Sequence, residues 1–205
     1  MSNKLTSNIF FDLPSGKEGV VVHVPKSGGF AVRSRLFKQN PTYWHPTWSQ
    51  IVNIEKSRAM NAIKVAIIRH PIKRTISLIN NYWEGMEKDH NIELSFELFQ
   101  QLKSRVTING CVNRFSLSTK EYLAGCVPDF IIRQESLQED VDYLCQMLNL
   151  KQVYIPHENV TRHKLCEWET IPKYFQNDIL NFVEEDMKYY VDLVDNFDKK
   201  KLKMI

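Results

Sequence analysis

Apolar positions along this chain fall into two rhythms. Short, nearly unbroken apolar runs occupy residues 19–24 (GVVVHV), 62–69 (AIKVAIIR), 127–134 (VPDFIIRQ) and 152–155 (QVYI). Their length and β-branched character predict buried strands. Between them the spacing lengthens to that of helices. GGFAVRSRLFKQ reads as a helix starting just past the glycines, and Pro71 suits the first turn of a helix through TISLINNYW. Residues 92–104 read as helical, and so does the stretch from about Ile171 to Leu193. In ESLQEDVDYLCQMLNL, Leu137, Val141, Leu144, Met147 and Leu148 share one face of an amphipathic helix. Tyr189 and Tyr190, with Phe182 and Val183, read as the core face of the terminal helix. NPTYWHPTWSQ (40–50) reads as a loop entering a short helix, 105–118 as irregular, and KKKLKMI as a frayed basic tail, about 196–205.

Strands alternating with helices predict an α/β fold, with a mainly parallel central sheet flanked by helices. No repeat or low-complexity linker divides the chain, so residues 1–205 are expected to form one domain. In such sheets ligands bind where strands end, at their carboxyl edge.

Composition adds a soluble globular character, with 43% hydrophobic and 25% charged residues. No apolar stretch reaches membrane-spanning length, and the first residues lack the apolar core of a signal peptide. Cys111, Cys126, Cys145 and Cys166 form no CxxC pair. Reduced thiols, no metal and a cytoplasmic location are the expectation.

Charge changes the picture more. The formal net charge is +3, yet residues 19–83 carry ten Lys or Arg against one acid, Glu55, while residues 84–205 sum to −6. Such segregation predicts an anionic ligand, and points to 19–83 as the region that holds it.

Two segments there have the chemistry for it. In VVVHVPKSGGF (20–30) a strand runs into a turn with one lysine and two glycines. Gly28 and Gly29 let backbone N–H groups face an oxyanion, the following helix adds its positive end, Lys26 adds a full charge and Ser27 a hydroxyl. The lysine precedes the glycines, so a Walker A loop does not fit. In AIIRHPIKRTIS, Arg69 at a strand end and Ser77 two turns into the next helix can converge on a second phosphate. Lys73 and Arg74 are expected to face water.

Together, PKSGGF and RHPIKRTIS resemble the nucleotide site of the sulfotransferases that use 3′-phosphoadenosine 5′-phosphosulfate (PAPS). The resemblance is closest to the carbohydrate-type branch, where H-[IV]-PK-[TS]-GG is typical. NRFSLSTKEYLAG, FIIRQESLQEDVDYLCQMLNL and PHENVTRH resemble later family segments, so most of residues 19–192 is covered. The resemblance implies a P-loop-NTPase-like sulfotransferase fold and transfer of a sulfuryl group from PAPS to a hydroxyl acceptor, most naturally of a carbohydrate. It implies 5′-phosphosulfate contacts from Pro25, Lys26, Ser27, Gly28, Gly29 and Phe30, and 3′-phosphate contacts from Arg69 and Ser77. It also implies adenine or 3′-phosphate contacts from Asn159, Thr161 and Arg162. Phe30 and Ala31 stand where hydroxyl residues are usual, and His70 replaces an aspartate.

Sulfuryl transfer needs charge stabilised on the leaving oxygen, which suits Lys26, and a base titrating near neutrality. Of six histidines, His45 resembles the family's base segment and is ringed by Tyr43, Trp44 and Trp48, which would suit stacking on a sugar. His23 reads as core or supporting packing, His90 as surface, and His157 and His163 flank the NVTR loop. Glu135 matches a family acid, with a structural role equally open.

Two other readings remain. A P-loop-like kinase would prefer ATP and magnesium. A non-catalytic polyanion-binding domain would survive loss of Lys26 and His45.

Overall fold

The computed structural model describes residues 9–39, 45–83, 92–104, 117–156 and 166–202. Its centre is one four-stranded sheet in the order β1–β2–β3–β4: Phe10–Asp12, Glu18–His23, Ile63–Ile68 and Phe130–Arg133. β2, β3 and β4 are parallel, with His23 opposite Ile67 and Ile68 opposite Arg133. The strands are buried along nearly all their length, as parallel strands covered by helices must be.

β1 was not anticipated. It pairs antiparallel with β2 through a turn in which Leu13 N–H donates to Lys17 O and Gly16 N–H to Leu13 O. Gly16 takes a positive φ of 78°, which glycine allows without strain.

Among the described residues, seven α-helices flank the sheet: α1 Gly29–Arg35, α2 Trp48–Asn61, α3 Pro71–Trp83, α4 Ile92–Ser104, α5 Thr119–Tyr122, α6 Leu137–Leu148 and α7 Lys173–Leu202. α1 is shorter than its apolar pattern predicts, and Lys38, at φ 53°, turns the chain away after it. α2 is longer than predicted. Thr47 accepts from Gln50 N–H while the Gln50 side chain accepts from Thr47 N–H, a reciprocal cap that the T-x-x-Q spacing encodes.

The predicted strand at 152–155 is not one. A side chain holds its backbone where a sheet neighbour would: Gln138 of α6 donates to Val153 O and accepts from Ile155 N–H. The predicted frayed tail is also corrected, since α7 continues to Leu202. Phe197 is buried, Asp198 pairs with Arg133, and the Lys201 ammonium lies over the Tyr143 ring at 4.5 Å. Tyr189 and Tyr190 of α7 pack on the main core around the sheet, while Val183 joins a second cluster with α3 and α4.

Among the described residues, no helix is long and apolar enough to cross a membrane.

Candidate active site

Because β2, β3 and β4 are parallel neighbours, the loops leaving them meet at one edge of the sheet. Both anion motifs leave this edge, from adjacent strands about 4.8 Å apart.

The 24–28 loop is shaped by the second motif. Arg69 Nη1 donates to Lys26 O at 3.2 Å, and Arg74 Nε donates to Pro25 O at 3.0 Å. In a trans peptide the C=O and the next N–H point in opposite directions. Two guanidinium groups holding these carbonyls therefore turn the N–H groups of Lys26 and Ser27 away from themselves. Arg74 corrects the sequence reading: it is 4% exposed, not water-facing, whereas Lys73 is exposed. Helical periodicity could not say that this side of α3 lies under the loop.

Ser27 is fully buried, and its hydroxyl reaches Val24 O and Ile67 O, tying the loop to β3. It leaves only its backbone N–H for an anion. Lys26 adopts a left-handed φ of 64°, unusual outside glycine, and its ammonium reaches Asn81 of α3 at 2.6 Å. Strain of that kind accumulates where a loop must hold one working shape.

The two glycines serve different needs. Gly28 has φ 77°, with room around its Cα, so glycine is required there for conformation. Gly29 is helical. A Cβ on it would lie 2.2 Å from Cδ2 of His23, so glycine is required for space. Gly28 caps α1 with no side-chain bond and no acidic residue in the first turn. α1 is only seven residues long, so its dipole adds little, and the charge at the loop comes from Lys26 and Arg69. Phe30, at the start of α1, is 44% exposed.

Arg69 is half-buried. Its Nε is buried with no acceptor, and desolvation pulls its pKa down without neutralising the guanidinium. Ser77 is half-buried on α3. Beside them Glu135 accepts from His70 N–H at 3.0 Å and from Tyr190 OH at 3.4 Å, fastening the start of α3 to α7. That is the structural role left open for Glu135.

His45 sits half-buried ahead of α2, with its ring centroid 4.5 Å from that of His23 and the planes tilted by 53°. This brings it to the carboxyl end of β2, where the lysine loop begins. Trp48, expected beside an acceptor, is instead buried in the core. Tyr43, Trp44, His90, His157, Asn159, Thr161, Arg162 and His163 lie outside the described residues. The chain re-enters them at Cys166, whose N–H and C=O are both held by Asn80 of α3.

Two further groups, Arg33 and Arg133, escaped the sequence reading, while His23 is the core or supporting residue expected of it. Arg33 is 1% exposed and donates to Gln39, which in turn donates to Phe10 O. Arg133 is saturated by Asp140 and Asp198. His23 is buried against His45. Arg33 and Arg133 each combine a partner six or seven residues on with a tie to a distant segment, through Gln39 to Phe10 and directly to Asp198, and the distant tie leaves no local signal. Among the described residues, no group of three or more His, Cys, Asp or Glu could hold a metal ion.

No protein-family model matches the chain, and no curated protein and no solved structure matches it.

Proposed function

We propose that the protein is a sulfotransferase that takes a sulfuryl group from PAPS to a hydroxyl acceptor, most naturally a carbohydrate. One observation carries the reading. Arg69 bonds the carbonyl of Lys26 while its Nε–H stays buried without an acceptor, so the two anion motifs share one cationic edge. A nucleotide with phosphates at two ends matches that arrangement, and the motif pair resembles the PAPS site.

The residues fit the donor in distinct ways. The turned-out N–H groups of the 24–28 loop and the Lys26 ammonium would hold the 5′-phosphosulfate, with Gly28 giving the loop its shape. Arg69 and Ser77 would hold the 3′-phosphate. When bound, the donor supplies a sulfuryl group on a bridging phosphate oxygen. Lys26 neutralises charge growing on that oxygen, the kind of preorganised stabilisation worth most in a low-dielectric cleft. His45 takes the proton of the acceptor hydroxyl. The left-handed backbone at Lys26 supports a pre-shaped loop, because no strain has to be introduced when the ligand arrives.

Arg33 and Arg74 weigh against a simple polyanion-binding surface, since both are buried. Calorimetric titration with the product nucleotide, 3′-phosphoadenosine 5′-phosphate, tests the assignment. Saturable binding is expected, with Lys26→Ala lowering the transfer rate by about 10²–10³-fold. Absence of binding at millimolar nucleotide would overturn it, and preference for ATP with magnesium would favour a kinase.

A further inference from the structure

His23 is 5% exposed, and its Nδ1 is buried with no hydrogen-bond partner. A leucine or phenylalanine between Val22 and Val24 would pack as well without leaving that atom unsatisfied. Buried polar atoms without partners are uncommon, and such exceptions gather where function demands them. The ring does not stand alone. One side of it is pressed against Gly29, where any side chain would collide, and the ring of His45 lies 4.5 Å from its centroid.

We propose that His23 is a positioning residue for His45: its free ring nitrogen accepts the N–H of His45 once that ring has taken a proton, and so holds the base at the lysine loop. This rests on reading His45 as the base of the proposed transfer.

The charges around the pair favour this division of labour. Arg33 of α1, Arg74 of α3 and His45 itself all oppose a positive charge on His23, and burial opposes it more strongly than any of them. His23 therefore stays neutral with one lone pair to offer, because a neutral imidazole carries one donor and one acceptor nitrogen. The proton lost by the acceptor hydroxyl goes to His45 and stays there, hydrogen-bonded to His23, until it passes to solvent. No proton moves to His23. The general logic is that of a base oriented by a third group. The contact need only tighten on protonation, since such bonds are commonly loose before the substrate is in place.

The test is a pH titration of the His45 ring by NMR in ¹⁵N-histidine-labelled protein, comparing wild type with His23→Phe. The phenylalanine keeps the ring packing and removes the nitrogen. Loss of an acceptor for the imidazolium is expected to lower the His45 midpoint by roughly one pH unit. In the transfer assay, the acid limb of kcat should move down with it and kcat should fall about tenfold, the scale of one lost charge-assisted hydrogen bond, with affinity for the product nucleotide unchanged. If the phenylalanine variant does not fold, His23→Leu serves for the same measurements. A His45 midpoint that is unchanged or raised overturns the proposal. The NMR arm decides this even where the wild type fails to bind the product nucleotide, an outcome that would remove the sulfotransferase assignment and leave the histidine pair to be judged separately.

Discussion

Two adjacent strands of this protein carry the same three residues, Ile-Ile-Arg, at their carboxyl ends. β3 finishes on Ile67 and Ile68 with Arg69 directly after it, and β4 finishes on Ile131, Ile132 and Arg133. The two arginines leave the same edge of the same sheet and meet opposite fates. Arg133 is bound by Asp140 through both Nε and Nη2, and by Asp198 of α7 through Nη1. These contacts hold its guanidinium above even the ordinary arginine range. Arg69 meets no carboxylate within ion-pairing distance among the described residues. It holds a backbone carbonyl and keeps a buried N–H without an acceptor. A paired cation is finished structure, whereas one without a carboxylate, at the strand ends where parallel sheets commonly take ligands, keeps its charge available. Identical local sequence therefore says nothing about which arginine is available. What α6 and α7 bring to each one decides it.

The comparison can be broken at either end. The largest effect is expected from Arg133→Ala, which leaves the fully buried Asp140 carboxylate without its main counter-charge. Denaturant unfolding should show a loss of about 3 kcal/mol, at the low end for a broken buried pair because Arg133 N–H and the Ser136 hydroxyl still reach Asp140. Nucleotide affinity should be unchanged wherever the variant is folded.

Arg69→Gln should invert that pattern. Affinity for the product nucleotide should fall by about 10–100-fold, the scale of a charge-assisted contact to phosphate, with stability changed by less than about 1 kcal/mol. A large stability loss with normal affinity would make Arg69 a second Arg133.

The smallest effect sharpens the contrast. Among the described residues, Glu135 is the acid that acts on Arg69 electrostatically. Glu135→Gln keeps an oxygen for His70 N–H and removes the negative charge. Product-nucleotide affinity should rise by a factor of about two to five at low salt, and the gain should fade as salt screens this exposed position.

The elements that frame the site were readable because their signals are local. β2 and β3 are apolar runs, Pro71 starts α3, and Gly28 turns a loop. The misreadings share one cause, which is dependence on a distant partner. Three residues of β1 mean little until the turn at Gly16 lays them against β2. QVYI has strand chemistry, but Gln138 reaches it before any strand does. Arg74 looked like a solvated helix residue until the lysine loop was found above it. Trp48 looked like a sugar platform until α2 carried it into the core. Even the two glycines, adjacent and alike on paper, are needed for reasons that only the ring of His23 separates. The cap at Thr47 and Gln50 is the exception. It was legible in the sequence and was masked by the prolines around it.

α7 is the last element among the described residues, and it buttresses an edge whose lysine loop is encoded far upstream of it. Through Tyr190 it fastens Glu135, which holds the beginning of α3, and through Asp198 it steadies Arg133. During synthesis, the lysine loop and both IIR strand ends therefore emerge from the ribosome well before the helix that braces them. Maturation of this edge waits on the translation of α7, and a chain released before Tyr190 would carry the lysine loop and Arg69 without the brace that sets their spacing.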